Sequence, residues 1–378
     1  MNTDQIYGLV NSVVEQSIGD TGLTAVDTST LVSLGDAVLS SSSNTEAFLN
    51  TLAQRIGKTI IRYRMYRNKL ADLVVDDFTF GAIVQKIRVN MPEAEADDSY
   101  NLVNGQSIDH YKISKPSTEQ KIFVTRTPYK YRLTIQDAHL REAFLSAEAM
   151  AAFISAIFGE LRNAIEKGLE ELGRTCINTA VAVVAGTAQE IKLVTEYNAT
   201  LPQGSTPLAT GVAALKDPDF LKWAGDRIDE VYDDFQDMSV LYNDTSIPTF
   251  TPAEDIRFKL HSIFARKYQS VMQADTFNKS LVDLPKYTKI NYWQSHKAGE
   301  KFDIKQTRPN GQGSTEDVTV SNVIGVMHDR EALGTYKKDE IAATTPLNAD
   351  GLYYNTVYHE KQLYFYDPSE NLVAFTLN

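Results

Sequence analysis

The sequence has one cysteine in 378 residues. A single thiol excludes an intrachain disulfide framework and a metal site built on cysteines. That residue, Cys176, falls on the apolar stripe of a helical pattern, where a free cysteine behaves as a small buried hydrophobe. Long apolar runs are missing: no stretch of about 18 apolar residues occurs, so no transmembrane helix is expected. The opening residues, Met1 to Ser17, have neither a positive start nor a continuous apolar core, so no signal peptide is expected. Basic residues are in deficit, with 37 Lys and Arg against 49 Asp and Glu and a net charge of −12. That argues against a general nucleic-acid binder, which needs a basic surface to release counterions from phosphates. It favours solubility at high concentration.

Recognisable chemistry is also scarce. Gly311-Gln312-Gly313 precedes Ser314 without a Lys-Ser/Thr pair or a third glycine, so it is no phosphate loop. The six histidines (His110, His139, His261, His296, His328 and His359) lack the spacing of metal ligands. No nucleophile elbow and no cysteine–histidine motif occurs. Asp97 and Asp98 with Glu93 and Glu95 form an acidic cluster that reads as a solvated loop face more readily than as a calcium site. His328-Asp329-Arg330-Glu331 looks catalytic in isolation; a charged turn opening a helix, with Asp329 near its N-terminus, is the simpler account. The reading is of a non-enzyme with no catalytic, cofactor-binding or metal residues and no cofactor.

What the sequence does have is one long helical pattern, from about Phe144 to Val184. Apolar residues recur at Met150, Phe153/Ile154, Ile157/Phe158, Leu161, Ile165, Leu169, Leu172 and Cys176, the period of an amphipathic helix. Ser146 is placed to cap it and Glu148 to sit in its first turn. No proline interrupts it, and Gly159, Gly168 and Gly173 each cost about 1 kcal/mol relative to Ala. At 1.5 Å per residue, roughly 30 to 40 residues span about 45 to 60 Å. Such a helix, with strand patterns on either side, reads as a spine.

Before the spine, residues 1 to about 43 read as a loosely patterned arm, with apolar patches at Ile6 to Val14 and Leu31 to Leu39 and a serine run at 40–43. Such an arm is expected to be disordered or held by another subunit. A helix is expected from about Thr45 to Tyr66. It ends in Arg62-Tyr63-Arg64-Met65-Tyr66-Arg67, which reads as an interface segment ahead of a base-stacking one. Strands are expected at Ala82–Val89, Lys121–Thr125 and Tyr129–Ile135. The polar stretch from Met91 to Gln120 is too long for a loop inside a compact domain and reads as a projecting hairpin arm.

After the spine, a short strand is expected near Glu190 to Thr195 and a hinge loop over Asn198 to Thr210. Helices follow at Asp217–Asp234 and from Thr251, the latter carrying Ile256, Leu260, Ile263, Phe264 and Tyr268. Ser239 to Tyr242 reads as a buried strand. Further strands are expected at Lys289–Trp293, Val318–Val326, Tyr353–Tyr358, Leu363–Tyr366 and Leu372–Leu377. The mixture indicates an α+β fold.

This order of parts resembles the tailed-bacteriophage major capsid proteins, the Johnson fold shared with encapsulins. The resemblance rests on the whole plan and on two local stretches. Val323 to Gly334, a hydrophobic run followed by Asp-Arg-Glu-Ala-Leu-Gly, is similar to a strand-then-helix segment late in such proteins. Tyr129 to Ile135 is similar to the strand returning from their extended loop. The resemblance implies an N-terminal arm (1–70), an extended β-hairpin loop (71–137), a peripheral domain with the spine helix (138–199), an axial domain (200–345) and C-terminal strands returning to the peripheral domain (346–378). It implies self-assembly through pentamers and hexamers into an icosahedral head enclosing double-stranded DNA, touched weakly and non-specifically. It further implies a portal and a separate scaffolding protein as partners, no membrane, and residence in the virion after assembly in the host cytoplasm. Lys112 and Lys115 lie in the loop region, but no pattern marks either as a crosslinking residue. The alternatives are an encapsulin-like compartment shell, a tail or sheath protein, and a soluble enzyme or binding protein.

Overall fold

A computed structural model describes residues 3–19, 21–56, 66–75, 84–89, 97–100, 103–105, 118–123, 127–245, 247–275, 284–309 and 314–378, with positions 92, 94, 107, 111, 113 and 115 among them. The chain opens with three helices, α1 (Thr3–Ile18), α2 (Thr28–Leu39) and α3 (Ser42–Ile56). The apolar patches of the expected loose arm are helical stripes. Ile6, Val10, Val13 and Val14, then Leu31, Leu34 and Val38, then Phe48, Leu49 and Leu52 are buried together in one core. Asp27 caps α2, its carboxylate accepting from the Thr30 N–H at 2.8 Å. The disordered-arm reading is therefore corrected: these residues bury their apolar faces within their own chain. Helix α3 starts at Ser42 rather than Thr45, and Arg62 to Met65 lie outside the described residues.

Strands β1 (Val84–Val89) and β2 (Thr118–Phe123) pair antiparallel, Val84 opposite Phe123 and Val89 opposite Thr118. Most of the expected hairpin arm between them, and the ends Ala82–Ile83 and Val124–Thr125 of the expected strands, lie outside the described residues. Strand β3 (Thr127–Gln136) leads through α4 (Asp137–Ala143) into the spine, α5 (Ala147–Val184).

The spine has 38 residues and begins as the sequence indicates, with the Ser146 hydroxyl accepting from the Ala149 N–H at 3.1 Å. Its first half packs Met150, Phe153, Ile154, Phe158 and Leu161 into the core shared with α1–α3. Its last turns, from Cys176 to Val184, are buried in a second core. Two spine glycines have a steric reason. A Cβ at Gly168 would lie 2.6 Å from the Tyr131 hydroxyl oxygen, and one at Gly173 would lie 3.1 Å from Leu70.

Beyond the spine come β4 (Glu190–Lys192), α6 (Leu193–Thr200), α7 (Pro218–Asp234), β5 (Ile256–His261), α8 (Ser262–Asp275), β6 (Tyr287–Ile290), β7 (Ile304–Pro309), β8 (Thr315–Val320), β9 (Val323–Asp329), β10 (Leu333–Thr344), β11 (Tyr353–Tyr366) and β12 (Leu372–Thr376). A five-stranded sheet runs in the order β4-β12-β9-β5-β6, and a three-stranded sheet in the order β10-β11-β3. In β12, Val373 and Phe375 face a core formed with α7 and α8, while Leu372 and Ala374 face the last turns of α5. This alternation places β12, an interior strand of the sheet, between two apolar layers.

Four local expectations change. Residues 251–261 are not helix: Ile256, Phe258 and Leu260 alternate along β5, and the helix starts only at Ser262. Ser239 to Tyr242 forms only an isolated bridge, Ser239 to Thr249, and leaves Val240 and Leu241 exposed. The Asn243 side chain turns the chain there by accepting from the Thr245 N–H at 3.1 Å. Residues 329–334 open a strand, not a helix. The Asp329 carboxylate accepts from the Glu331 N–H at 2.6 Å and from the Thr251 hydroxyl at 2.7 Å, and the Ala332 N–H returns to the Asp329 carbonyl. Leu333 then pairs with Tyr366. The strand near 190–195 stops at Lys192, where α6 begins.

Candidate assembly surface

In an antiparallel pair, residues directly opposite share a face, and the face changes at every step. Lys86 therefore sits with Lys121, Arg88 with Glu119, and Ile87 with Gln120 on the other side. The face carrying Lys86, Arg88 and Lys121 turns toward the body of its own chain. Lys86 lies 3.4 Å from Asp367 and 3.5 Å from Glu331, and it also contacts Glu370. Arg88 lies 2.6 Å from Glu370 and donates to the Ser369 carbonyl at 3.3 Å. Lys121 lies 2.9 Å from Asp367. The opposite face carries Gln85, Ile87, Val89, Gln120 and Ile122, without a charge. Ile87 is 64% exposed, Val89 57% and Ile122 54%.

The Asp367 carboxylate has no exposure. Burial alone would raise its pKa, but the Ser369 hydroxyl at 2.6 Å, Lys121 and Lys86 outweigh it and hold the group below the usual carboxylate range. For Lys86 the sign is opposite: burial opposes the charge, and Glu370, Asp367 and Glu331 more than restore it.

The root of the hairpin is held separately. The Val75 N–H donates to the Thr335 carbonyl at 3.0 Å, and the Phe123 ring lies 5.4 Å from that of Phe365. Just upstream, Asp72 pairs with Lys259, whose side chain is fully buried. Burial pulls the lysine pKa down against the attraction of Asp72. This pair ties residues 70–73 to β5.

The chemistry considered from sequence does not converge. His261 and His328 are buried, and burial pushes both down to about 4, so each is neutral near pH 7. His139, His296 and His359 are exposed, and His110 lies outside the described residues. Among the described residues no group of three or more His, Cys, Asp or Glu could hold a metal ion. No helix among them is long and apolar enough to cross a membrane. Asp97 is exposed and accepts from the Ser99 N–H at 2.9 Å; Glu93 and Glu95 lie outside the described residues, as do Gly311 to Gly313 and Lys112. Cys176 is buried, its thiol is pushed up to about 12 by burial, and its sulfur donates to the Phe365 carbonyl at 3.1 Å, which makes it inert.

A cleft of about 710 Å³ beside the spine is lined by Tyr66, Glu170, Arg174, Tyr292 and His296 among others. Tyr66, the last tyrosine of the Arg/Tyr run, donates its hydroxyl to Glu170, which Arg174 pairs at 2.7 Å. The Arg174 guanidinium covers the Tyr292 ring at 3.9 Å. Together these contacts pin Tyr66 and Lys69 to the spine. The exposed face of the hairpin was not legible from sequence. Alternation shows that Ile87 and Arg88 point to opposite sides, but only the position of Asp367 and Glu370 shows which side is inward.

A long spine helix, an extended hairpin, and a three-stranded and a five-stranded sheet make up a Johnson-fold shell protein. Two solved structures share this fold. A chain in the capsid structure of Staphylococcus phage Andhra superposes with a TM-score of 0.55 at 11% identity, covering 85% of this chain and 87% of that one. A chain in the structure of the head fiber and inner core protein gp22 of native bacteriophage P68 gives 0.52 at 10% identity, with the same coverage. The family profile of the Phi29-like phage major capsid proteins matches residues 10–376, and the chain belongs to that family. It is also 27% identical over 114 residues to the major capsid protein of Streptococcus phage Cp-1, an alignment spanning 30% of each chain. Membership selects the phage capsid reading over the compartment and tail alternatives.

Proposed function

We propose that copies of this chain close into an icosahedral head around double-stranded DNA, through pentamers and hexamers, with the β1–β2 hairpin of each copy lying along its neighbour. The observation that carries this is the inverted polarity of the hairpin. Its basic residues face its own subunit, with Phe123 packed at the root, and Ile87, Val89 and Ile122 face water. A hairpin serving only its own subunit would place them the other way, because burying apolar area stabilises and burying charge costs. Covering Ile87, Val89 and Ile122 on another copy would contribute on the order of a few kcal/mol per contact. Repeated around a closed ring of heterologous contacts, that is enough to drive assembly.

In this shell, residues 71–137 are the extended loop, the spine and β11 lie in the peripheral layer around local three-folds, and the 200–345 region packs around five-folds and six-folds. Helices α1–α3, within residues 1–70, cover the first half of the spine and present their outer faces to neighbouring copies. The net negative charge repels the packaged DNA weakly and keeps it from adhering to the wall. No catalytic step is needed. A portal and a separate scaffold complete the head, which is built in the host cytoplasm.

The test is Ile87→Asp combined with Ile122→Asp. Both side chains are exposed, so the subunit should keep its circular dichroism and its melting temperature to within about 1 °C, as surface changes do. Negative-stain electron microscopy should show closed shells for the parent protein and none for the variant. Normal shells from the variant would overturn the proposal.

A further inference from the structure

The charges beneath the hairpin do not merely neutralise one another. Residues 367–371 connect β11 of the three-stranded sheet to β12 at the heart of the five-stranded sheet, and they are bonded from every side. The Asp367 N–H donates to the Ala332 carbonyl at 2.7 Å, and the Asp329 N–H to the Asn371 carbonyl at 2.8 Å. The Asp244 N–H donates to the Pro368 carbonyl at 2.9 Å. The Asn371 side chain reaches the Thr251 hydroxyl at 3.2 Å, and the Gln189 amide reaches the Leu372 carbonyl at 3.1 Å. A segment fixed in this way cannot follow the hairpin if the hairpin swings.

The hairpin, by contrast, has few attachments. Among the described residues these include the packing of Val75 and Phe123 on Tyr336, Leu363 and Phe365 at its root, the backbone bond of Val75, the ion pairs of Lys86, Arg88 and Lys121, and the Arg88 bond to the Ser369 carbonyl. Away from the root, the attachments among the described residues are made by the side chains of Lys86, Arg88 and Lys121. Swinging the hairpin away would leave Asp367 with the Ser369 bonds and no cation, and would separate Glu370 from Lys86 and Arg88. Losing several partly buried ion pairs at once disfavours that movement. The hairpin is therefore biased toward one direction by Lys86, Arg88 and Lys121 set against Glu331, Asp367 and Glu370, with Asp244 also facing Lys121 and Arg88.

We propose that Lys86, Arg88 and Lys121 are positioning residues. They clamp the hairpin to the 367–371 segment and so set the direction in which its apolar face is presented to the next copy. This rests on the reading of that face as the contact between copies, but its test does not need assembly. In the full-length soluble subunit, Gln120→Cys on the exposed face and Ser205→Cys on an exposed loop provide two labelling sites, since the native Cys176 is buried. Spin labels on the pair report the hairpin direction by pulsed electron resonance.

With the native charges a single narrow distance distribution is expected. With Lys86→Gln, Arg88→Gln and Lys121→Gln together, the distribution should become at least about twofold broader, as expected of an element released from its docked state. Circular dichroism and melting should stay near the parent values. The charge-conserving set Lys86→Arg, Arg88→Lys and Lys121→Arg should restore the narrow distribution. Should the neutral triple variant fail to fold, Arg88→Gln alone is measured in the same way. An unchanged narrow distribution in a folded, neutralised variant would overturn the clamp, whatever the variant does in assembly. Failure of the doubly charged Ile87/Ile122 variant to block shells would overturn the assembly reading and leave the clamp standing.

Discussion

Two hairpins of equal strand length, β1–β2 and β7–β8, stand on the same subunit and turn opposite faces to it. In β7–β8 the inward side chains are Ile304, Val318 and Val320, with Gln306 donating to the Thr179 hydroxyl at 3.1 Å. Arg308 reaches in and donates to the Ala182 and Ala185 carbonyls, each at 2.9 Å, so it caps the C-terminal end of α5. The outward residues of this hairpin are Lys305, Thr307, Thr315, Asp317 and Thr319, and Thr307 donates to Asp317 across the strands at 2.7 Å. In β1–β2 the basic residues are inward and the isoleucines are outward. Both hairpins alternate in the same way along the chain. What separates them is the surface they meet: an apolar helix end under one, a carboxylate-bearing turn under the other. The apolar face of β7–β8 is buried within its own subunit, and that of β1–β2 is left for the contact between copies proposed above.

The comparison can be tested from its strongest side. Ile304 has no exposure and packs with Trp293, Val320 and Val323. Ile304→Asp buries an unpaired carboxylate, a change of several kcal/mol. The expected outcome is loss of the soluble folded subunit, seen in circular dichroism, whereas Ile87→Asp on the other hairpin leaves the fold intact. A native-like melt for Ile304→Asp would show that β7–β8 is not part of the core and would remove the contrast. Arg308→Met comes next. It abolishes hydrogen bonds from a charged group to buried carbonyls, which contribute about 1.5–3 kcal/mol. The melting temperature should fall by several degrees, and the subunits that remain folded should still assemble into shells of normal diameter. A variant with normal melting and defective shells would place β7–β8, too, at a contact between copies.

Much of this architecture was legible because it depends on period alone. The spine was readable from Met150 to Cys176, since an uninterrupted stripe with a serine cap has one physical solution. Helix α7 was readable from Asp217-Pro218 and its buried Phe220, Leu221 and Ile228. The failures fall where a short apolar set fits two periods. Ile256, Leu260, Ile263 and Phe264 suit a helix, but Phe258 supplies the alternation that the sheet uses. Asp-Arg-Glu after β9 suits a helix start, but the Thr251 hydroxyl and the pairing of Leu333 with Tyr366 make it a turn between strands. The helices of residues 3–39 were missed because their stripes are short and interrupted, and become decisive only against the first half of the spine. The outward face of β1–β2 was hidden for a different reason. Period fixes which residues share a face, but which face is inward depends on Asp367 and Glu370, some 280 positions away along the chain.

The smallest expected effect separates the hairpins by pH. The Asp367 carboxyl is held below its ordinary value of 3.8 by Ser369, Lys121 and Lys86 acting against burial. A group with a depressed pKa in the docked state contributes fully above the ordinary value, and its contribution is lost as pH falls through the docked value. Glu331 and Glu370 face the same cations. Asp244, whose pKa is raised by burial and whose charge senses Lys121 and Asp367, becomes neutral earlier. The clamp therefore loses the Asp367 charge only as pH falls below the ordinary value of 3.8 and through the lower docked value, whereas Arg308 in β7–β8 is held by uncharged backbone carbonyls. Labels on Gln120→Cys and Ser205→Cys should give a broadening distance distribution as pH falls from 7 toward about 3, and labels on Thr307→Cys and Ser205→Cys should not. Equal broadening at both sites would mean that acid loosens the whole subunit. A hairpin that stays narrow at the low end would be held by the Phe123–Phe365 contact and not by charge.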